Sequence, residues 1–219
     1  MSSAPRIALI HATPIAMEPI QTSFRASYPQ ANLMNILDDS LSPDRAAVSS
    51  ITTELADRIQ SLAEYAVKAG CNAVLFTCSA FGSAIETAAA SLPVPVLKPN
   101  EAMFEAAIGQ GGKTAMLYTF PPAREGMEIE FHEEAARINA AATIESLLVE
   151  GAIEAVRSGD SETHNTLVAA AAASLENVDA IMLAHFSTAR AMNAVRNVTD
   201  IPVFSSPDAA VLKLRRLLA

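Results

Sequence analysis

Apolar residues along the chain form short β-rich runs that alternate with longer stretches of helical periodicity. Ile7–Ile10 predicts a buried strand, because it is a short apolar run next to polar residues. Apolar side chains recur every four residues between positions 46 and 69, which predicts an amphipathic helix that ends at Gly70. The same patterns predict strands at 31–37, 74–76, 94–97, 114–118, 144–148, 180–183 and 202–204, and helices at 81–90, 127–142, 163–175, 189–195 and 209–217.

The alternation predicts a fold class. Strands separated by helices of ten or more residues are typical of parallel sheets with right-handed crossovers. We therefore expect an α/β protein with two pseudo-symmetric lobes, each a parallel sheet flanked by helices. The expected first lobe is 1–99, the second is 100–204, and a C-terminal helix within 205–219 returns to the first lobe.

Two matching halves are visible in the spacing. The strand at Val74 starts 67 residues after the strand at Ile7, and the corresponding separation in the second half is 66 residues. A Pro-Val step follows both Cys78 and His185, and its valine is 18 residues away in each case. A duplicated α/β unit tends to bring its functional loops face to face. One thiol and one imidazole would then approach a shared cleft from opposite sides, which suits chemistry at a carbon reached from both faces.

Ligands of parallel sheets bind beyond the carboxyl ends of the strands. In this chain that rule selects the loops 11–14, 38–40, 77–79, 119–121 and 185–188. Cys78 is flanked by Thr77 and Ser79 and precedes a predicted helix, whose N-terminus would lower the pKa of a thiol. His185 suits proton transfer near neutral pH, since an unperturbed imidazole has a pKa of about 6.5. The alternative is that both are structural, a buried cysteine and a hydrogen-bonded histidine.

Other polar residues accompany these loops. His11, Thr13 and Thr119 follow strands, and Ser187 lies in the His185 loop. With Thr77 and Ser79, they either hold a substrate carboxylate or simply terminate strands. Further histidines and acidic residues that we expect at helix caps or on the surface are Asp38, Asp39, His132 and His164.

Composition narrows the classes of function. The net charge of −9 argues against nucleic acid or an anionic membrane as a partner. The segment 1–6 lacks the apolar stretch of a signal peptide, and two cysteines seven residues apart do not make a disulfide framework, so we expect a reduced, cytoplasmic protein. The histidines and cysteines lack metal-ligand spacing, and no glycine-rich nucleotide motif follows a strand, so we expect neither a metal nor a cofactor.

At this point the chain resembles the aspartate/glutamate/hydantoin racemase superfamily over nearly its whole length. Phe76–Ala80 is similar to the first catalytic cysteine loop of that superfamily, and Leu183–His185 to the second. Thr119 and His11 fall where its members carry a carboxylate-binding threonine and an aspartate. The resemblance implies two similar lobes, no cofactor, a small carboxylate substrate and a possible homo-oligomer.

The departures from the superfamily pattern concern substrate and mechanism. His185 stands where the second cysteine is expected. Phe186 replaces a threonine that holds substrate in glutamate racemases, and Ala80 lacks a hydroxyl group. These changes place glutamate and aspartate in doubt as substrates.

Three functions remain open from the sequence. The first is an isomerase, a racemase or epimerase in which Cys78 and His185 exchange protons with the α-carbon of a small carboxylic acid such as an amino acid or a hydantoin. The second is a decarboxylase of a malonate-type acid with Cys78 as sole proton donor and an apolar pocket formed by Phe81, Phe120 and Phe186. The third is a non-catalytic binder of small carboxylates.

Overall fold

The computed structural model describes residues 4–219, so part of the segment 1–6, in which no signal peptide is expected, lies outside the described residues. Within these residues, eight strands form two four-stranded sheets. The strands are β1 Arg6–His11, β2 Asn32–Leu37, β3 Ala73–Phe76, β4 Val96–Leu97, β5 Lys113–Tyr118, β6 Thr143–Leu148, β7 Ala180–Leu183 and β8 Val203–Ser205. The helices are α1 Met17–Ser27, α2 Leu41–Ala46, α3 Thr53–Lys68, α4 Gly82–Ser91, α5 Glu101–Ile108, α6 Arg124–Ile138, α7 Ala152–Arg157, α8 Ser161–Ala173, α9 Met192–Arg196 and α10 Ser206–Leu217.

Both sheets are parallel and have the same strand order, β2-β1-β3-β4 in the first and β6-β5-β7-β8 in the second. The register is also the same. Ile10 of β1 is paired with Phe76 of β3, and Leu117 of β5 is paired with Leu183 of β7. The α/β fold class predicted from the sequence is confirmed, with a helix-flanked parallel sheet in each half of the chain.

The chain divides into two compact units. The first contains the chain as far as Pro99 together with Ala210–Ala219, and the second contains Asn100–Ala209. The end of α10 therefore belongs to the first unit, where Arg215 Nη1 donates to the carbonyl oxygen of Ser27 at 3.3 Å.

Each sheet is covered by apolar side chains from its own helices. In the first unit Leu55, Ile59, Ala63 and Ala66 on one face of α3 pack into a core with the β-strand side chains. In the second unit two apolar clusters form, one including α5 and α6 and the other including α8 and α9. None of the helices within residues 4–219 is long and apolar enough to cross a membrane.

The long helix expected over 46–69 is shorter than predicted. It begins at Thr53, because the Thr52 hydroxyl oxygen accepts a hydrogen bond from the Leu55 amide at 3.3 Å and caps the helix. Residues 47–52 form no helix, and Ala46 instead ends the separate helix α2. Gly70 follows the helix with a φ of +80°, the left-handed conformation that glycine adopts without strain. The sequence patterns missed α1, α2, α5 and α7 altogether.

Candidate active site

Cys78 lies two residues beyond the end of β3, at the carboxyl edge of the first sheet. Its backbone is extended and precedes a short 3₁₀ turn, Ser79–Phe81, which leads into α4. Burial of the Phe81 side chain anchors this turn in the core. Cys78 is a partly exposed free thiol, whereas the other cysteine, Cys71, is free and buried.

The environment of Cys78 raises the pKa of its thiol. Burial is the largest cause, because it disfavours the charged thiolate. A hydrogen bond from the backbone of Ala80 and the positive charge of Arg45 act in the opposite direction. Burial therefore outweighs the lowering expected from a helix N-terminus, and Cys78 is a protonated thiol at neutral pH.

His185 occupies the corresponding place in the second unit, two residues beyond the end of β7. It also precedes a 3₁₀ segment, Phe186–Ala191. Its backbone has φ 70° and ψ 152°, a region that is essentially restricted to glycine. Asn177 is the other non-glycine residue with positive φ in the described part of the chain. A strained histidine at a strand end is a feature that clusters at functional sites.

The imidazole of His185 is neutral at physiological pH. Burial lowers its pKa from 6.5 to about 4. The residue keeps some exposure, but its Nε2 atom is buried and finds no hydrogen-bond partner among residues 4–219. An imidazolium at neutral pH would need a negative charge beside it, such as that of a bound carboxylate.

His11 is fully buried and holds the strand end beneath Cys78. Its Nδ1 lies 2.9 Å from Thr77 Oγ1, and its Nε2 lies 3.1 Å from Asn35 Oδ1. Gln21 Nε2 also donates to Asn35 Oδ1, at 3.2 Å. A neutral ring donates from Nε2 to Asn35 and accepts at Nδ1 from the Thr77 hydroxyl, for whose proton the Ile10 carbonyl oxygen at 3.3 Å competes. Burial lowers the pKa of His11, which favours that neutral form.

The predicted binding residues thus differ in how open they are to a ligand. Thr13, Ser79 and Ser187 are partly exposed, whereas His11, Thr77 and Thr119 are buried. Buried side chains that bond to each other fix the backbone of the loops. We therefore interpret His11 and Thr77 as supports of the Cys78 turn, while direct binding by the exposed hydroxyls stays a prediction.

His164 was expected at the surface or in a cap, and that prediction is wrong. It is buried on α8, on the same face as Val168 and Ala172, which are four and eight residues further on and also buried. Burial lowers its pKa, and the charge of Arg190 lowers it further. His132 is exposed, as expected. No pattern in the sequence distinguished the two histidines, because α8 carries few large apolar residues.

Two of the three phenylalanines expected to form an apolar pocket are core residues. Phe81 and Phe186 are buried, and Phe120 is 40% exposed. The apolar pocket made of all three rings stays a prediction. Within residues 4–219 no group of three or more histidine, cysteine or acidic side chains could hold a metal ion.

Comparison with known proteins shows which solved structures have a similar fold. Compared by sequence, the chain matches no family model and none of the curated proteins. Compared by structure, it is similar to an aspartate racemase homologue from Pyrococcus horikoshii, with a TM-score of 0.73 and 14% identity over 97% of this chain and 98% of that one. It is also similar to a glutamate racemase from Bacillus anthracis, with a TM-score of 0.72 and 15% identity over 99% of this chain and 82% of that one.

A third similar structure is a mutant of arylmalonate decarboxylase in a sulfate-associated form. Its TM-score is 0.68, with 19% identity over 97% of this chain and 93% of that one. The chain therefore has the fold of the aspartate/glutamate/hydantoin racemase superfamily, as the resemblance in its sequence indicated. At these identities the similarity concerns the fold.

Proposed function

We propose that this protein is a cofactor-independent racemase or epimerase that transfers protons at the α-carbon of a small carboxylic acid. The observation that carries the proposal is the equivalence of Cys78 and His185. Each lies two residues beyond the third strand of its unit and precedes a 3₁₀ segment, at the sheet edge where ligands of parallel sheets bind. The structural similarity to glutamate and aspartate racemases supports it at the level of the fold.

The protonation states of the two side chains assign their starting roles. In the free protein Cys78 is a thiol and His185 a neutral imidazole, because burial disfavours the charged form of each. His185 then accepts the α-proton and Cys78 donates one to the opposite face, so that the C–H bond broken is replaced by a new one. The reverse reaction starts from the thiolate and the imidazolium. A bound carboxylate raises the pKa of His185 toward the working range of a general base.

Proton exchange in D₂O tests this proposal. A panel of amino acids and hydantoins is incubated with the protein, and the α-proton signal is followed by NMR. We expect the signal to disappear while the carbon skeleton stays unchanged. Cys78→Ala should lower the rate by about 10²- to 10⁴-fold, the usual contribution of a positioned acid or base. Cys71→Ala is the matched control and should exchange at the wild-type rate.

The activities of the Cys78 and His185 variants show whether both residues take part in the reaction. If Cys78→Ala and His185→Asn both abolish racemisation, two groups act on one carbon. Continued exchange at the wild-type rate in Cys78→Ala would contradict the proposal.

Decarboxylation of a malonate-type acid is the second candidate, favoured by the raised pKa of Cys78. Loss of CO₂ breaks a C–C bond and leaves a carbanion that needs one proton, which the thiol supplies. The thiolate then regains its proton from solvent. Aryl- and alkylmalonates in the same panel distinguish the two reactions. A monoacid product that still forms in His185→Asn but not in Cys78→Ala would identify the decarboxylase.

A further inference from the structure

An arginine side chain holds each of the two turns that carry the candidate acid/base residues. In the first unit Arg45 Nε donates to the carbonyl oxygen of Ala80 at 3.0 Å, and its Nη1 donates to the carbonyl oxygen of Val48 at 2.9 Å. Arg45 lies on α2, so one guanidinium group ties the end of that helix to the turn after Cys78.

The second unit contains the same arrangement. Arg190 Nε donates to the carbonyl oxygen of Ser187 at 2.9 Å, and its Nη1 reaches Ser161 Oγ, the first residue of α8, at 3.3 Å. In both units the Nε–H binds the carbonyl two residues after the candidate reacting residue, Cys78 or His185.

The two arginines come from different places in the chain. Arg45 precedes its turn by more than thirty residues and belongs to a helix between β2 and β3, whereas Arg190 lies within the 3₁₀ segment that it holds. The contact is therefore not a by-product of aligned sequences in the two halves. In each unit an arginine from a different part of the chain binds the equivalent backbone carbonyl.

We infer that Arg45 and Arg190 are positioning residues, each fixing the turn that carries one of the two acid/base side chains, and this inference rests on the proposed function. A guanidinium group suits the task because its planar fork donates in several directions and stays charged. Holding the carbonyl two residues on fixes the direction in which the reacting side chain leaves the strand. Misplacement by about 1 Å is enough to cost about 10²-fold in rate.

Arg45 has a second effect that can be measured without any substrate. Three influences act on the pKa of Cys78: burial raises it, and the Ala80 amide and the Arg45 charge lower it. Arg45 supplies one of the lowering influences through its charge, and it also binds the carbonyl of Ala80, the residue whose amide supplies the other. Removal of Arg45 should therefore raise the pKa of the thiol and slow its alkylation.

The experiment for Arg45 measures the rate of alkylation by iodoacetamide from pH 6 to 10 in a Cys71→Ala background, so that one thiol reports. We expect Arg45→Gln to react about three- to tenfold more slowly than wild type at pH 8, with its midpoint moved to higher pH. Arg45→Lys keeps the charge but lacks the Nε fork, so its rate should lie between the two. Arg25→Gln is the matched charge control on α1, where Arg25 contacts Thr22, and should match wild type.

Circular dichroism shows which variants are folded. A folded Arg45→Gln or Arg45→Lys variant with the wild-type rate and midpoint would overturn the inference for Arg45. So would an equal shift in Arg25→Gln, because the effect would then come from net charge alone.

The experiment for Arg190 measures amide hydrogen exchange at Thr188, whose N–H donates to the His185 carbonyl oxygen at 3.3 Å and closes the turn. Arg190→Gln should speed this exchange by about tenfold, since the turn opens more often. Arg196→Gln, an exposed arginine on α9, is the control and should leave it unchanged. Unchanged exchange at Thr188 in Arg190→Gln would overturn the inference for Arg190.

These readouts are independent of turnover. If no acid in the panel exchanges its α-proton but Arg45→Gln and Arg45→Lys both slow alkylation, the proposed function fails and the positioning by Arg45 stands. If proton exchange is found and the arginine variants change neither readout, the proposed function stands and this inference fails.

Discussion

Acid should destabilise the protein through His185, by an amount that its burial determines. Burial lowers the pKa of the ring from 6.5 to about 4 in the folded protein. Between these two values the unfolded state binds more protons than the folded state, so the free energy of unfolding falls as the pH falls. The contribution is complete above the unfolded pKa of 6.5, and most of it is lost by the time the pH reaches the folded value.

The shift sets the size of the effect. Each pKa unit corresponds to about 1.4 kcal/mol, so the whole shift amounts to about 3 kcal/mol. Linkage places about 1.4 kcal/mol of that loss between pH 7.5 and pH 5.5, or roughly a tenfold change in the unfolding equilibrium. Both pH values lie above the pI of 4.9, the pH at which the protein carries little net charge.

Urea unfolding at pH 7.5 and 5.5 measures this loss, and His185→Asn isolates it. Asparagine cannot titrate and tolerates a positive φ better than most residues. We expect the loss of free energy between the two pH values to be about 1.4 kcal/mol smaller in His185→Asn than in wild type. His11 and His164 titrate in both proteins, so their contributions cancel in the comparison.

His132→Asn is the matched control, because His132 is exposed. Between pH 7.5 and 5.5 this variant should lose as much free energy of unfolding as wild type. Equal losses in His185→Asn and wild type would refute the reasoning. So would an NMR titration of the His185 ring with a midpoint near 6.5.

Two further predictions concern the backbone. His185→Gly should be more stable than His185→Ala by about 1 kcal/mol in urea unfolding, because glycine relieves the strain at φ 70°. At the control position His132, inside α6, the alanine variant should instead be more stable than the glycine variant by a similar amount. Glycine being the more stable variant at both positions would contradict the strain at His185. Thr52→Ala should lower the free energy of unfolding by about 1 kcal/mol, since it removes the hydroxyl that caps α3. Thr52→Ser keeps the hydroxyl and serves as its control, so that an equal loss in both variants would contradict the capping role.

Much of the fold could be predicted because each half repeats one local pattern. Ile7–Ile10 and the run 180–183 are fully apolar and short, and both became central strands of their sheets. The start of α3 was misplaced because the apolar spacing already begins before Thr52, whereas the helix begins where the Thr52 hydroxyl caps it. α5 and α7 were missed because short helices rich in alanine lack a strong periodic signal.

Sequence by itself determined which side chains lie at the ends of the strands. Cys78 and His185 follow equivalent apolar runs, and strand ends in a parallel sheet are fixed by the run of apolar residues before them. The helix-flanked parallel sheets follow from the same pattern, whereas the order of the strands within each sheet is seen only in the structure.

Tertiary structure decided the chemical state of those side chains. Burial, which no local pattern shows, raises the pKa of Cys78 and lowers that of His185, and it places His11 out of reach of solvent. Arg45 meets the Cys78 turn only after the chain has folded, because the two are separated by a strand and a helix. The physical reason is that a pKa depends on the dielectric surroundings and the charges nearby in space, which residues distant in sequence supply.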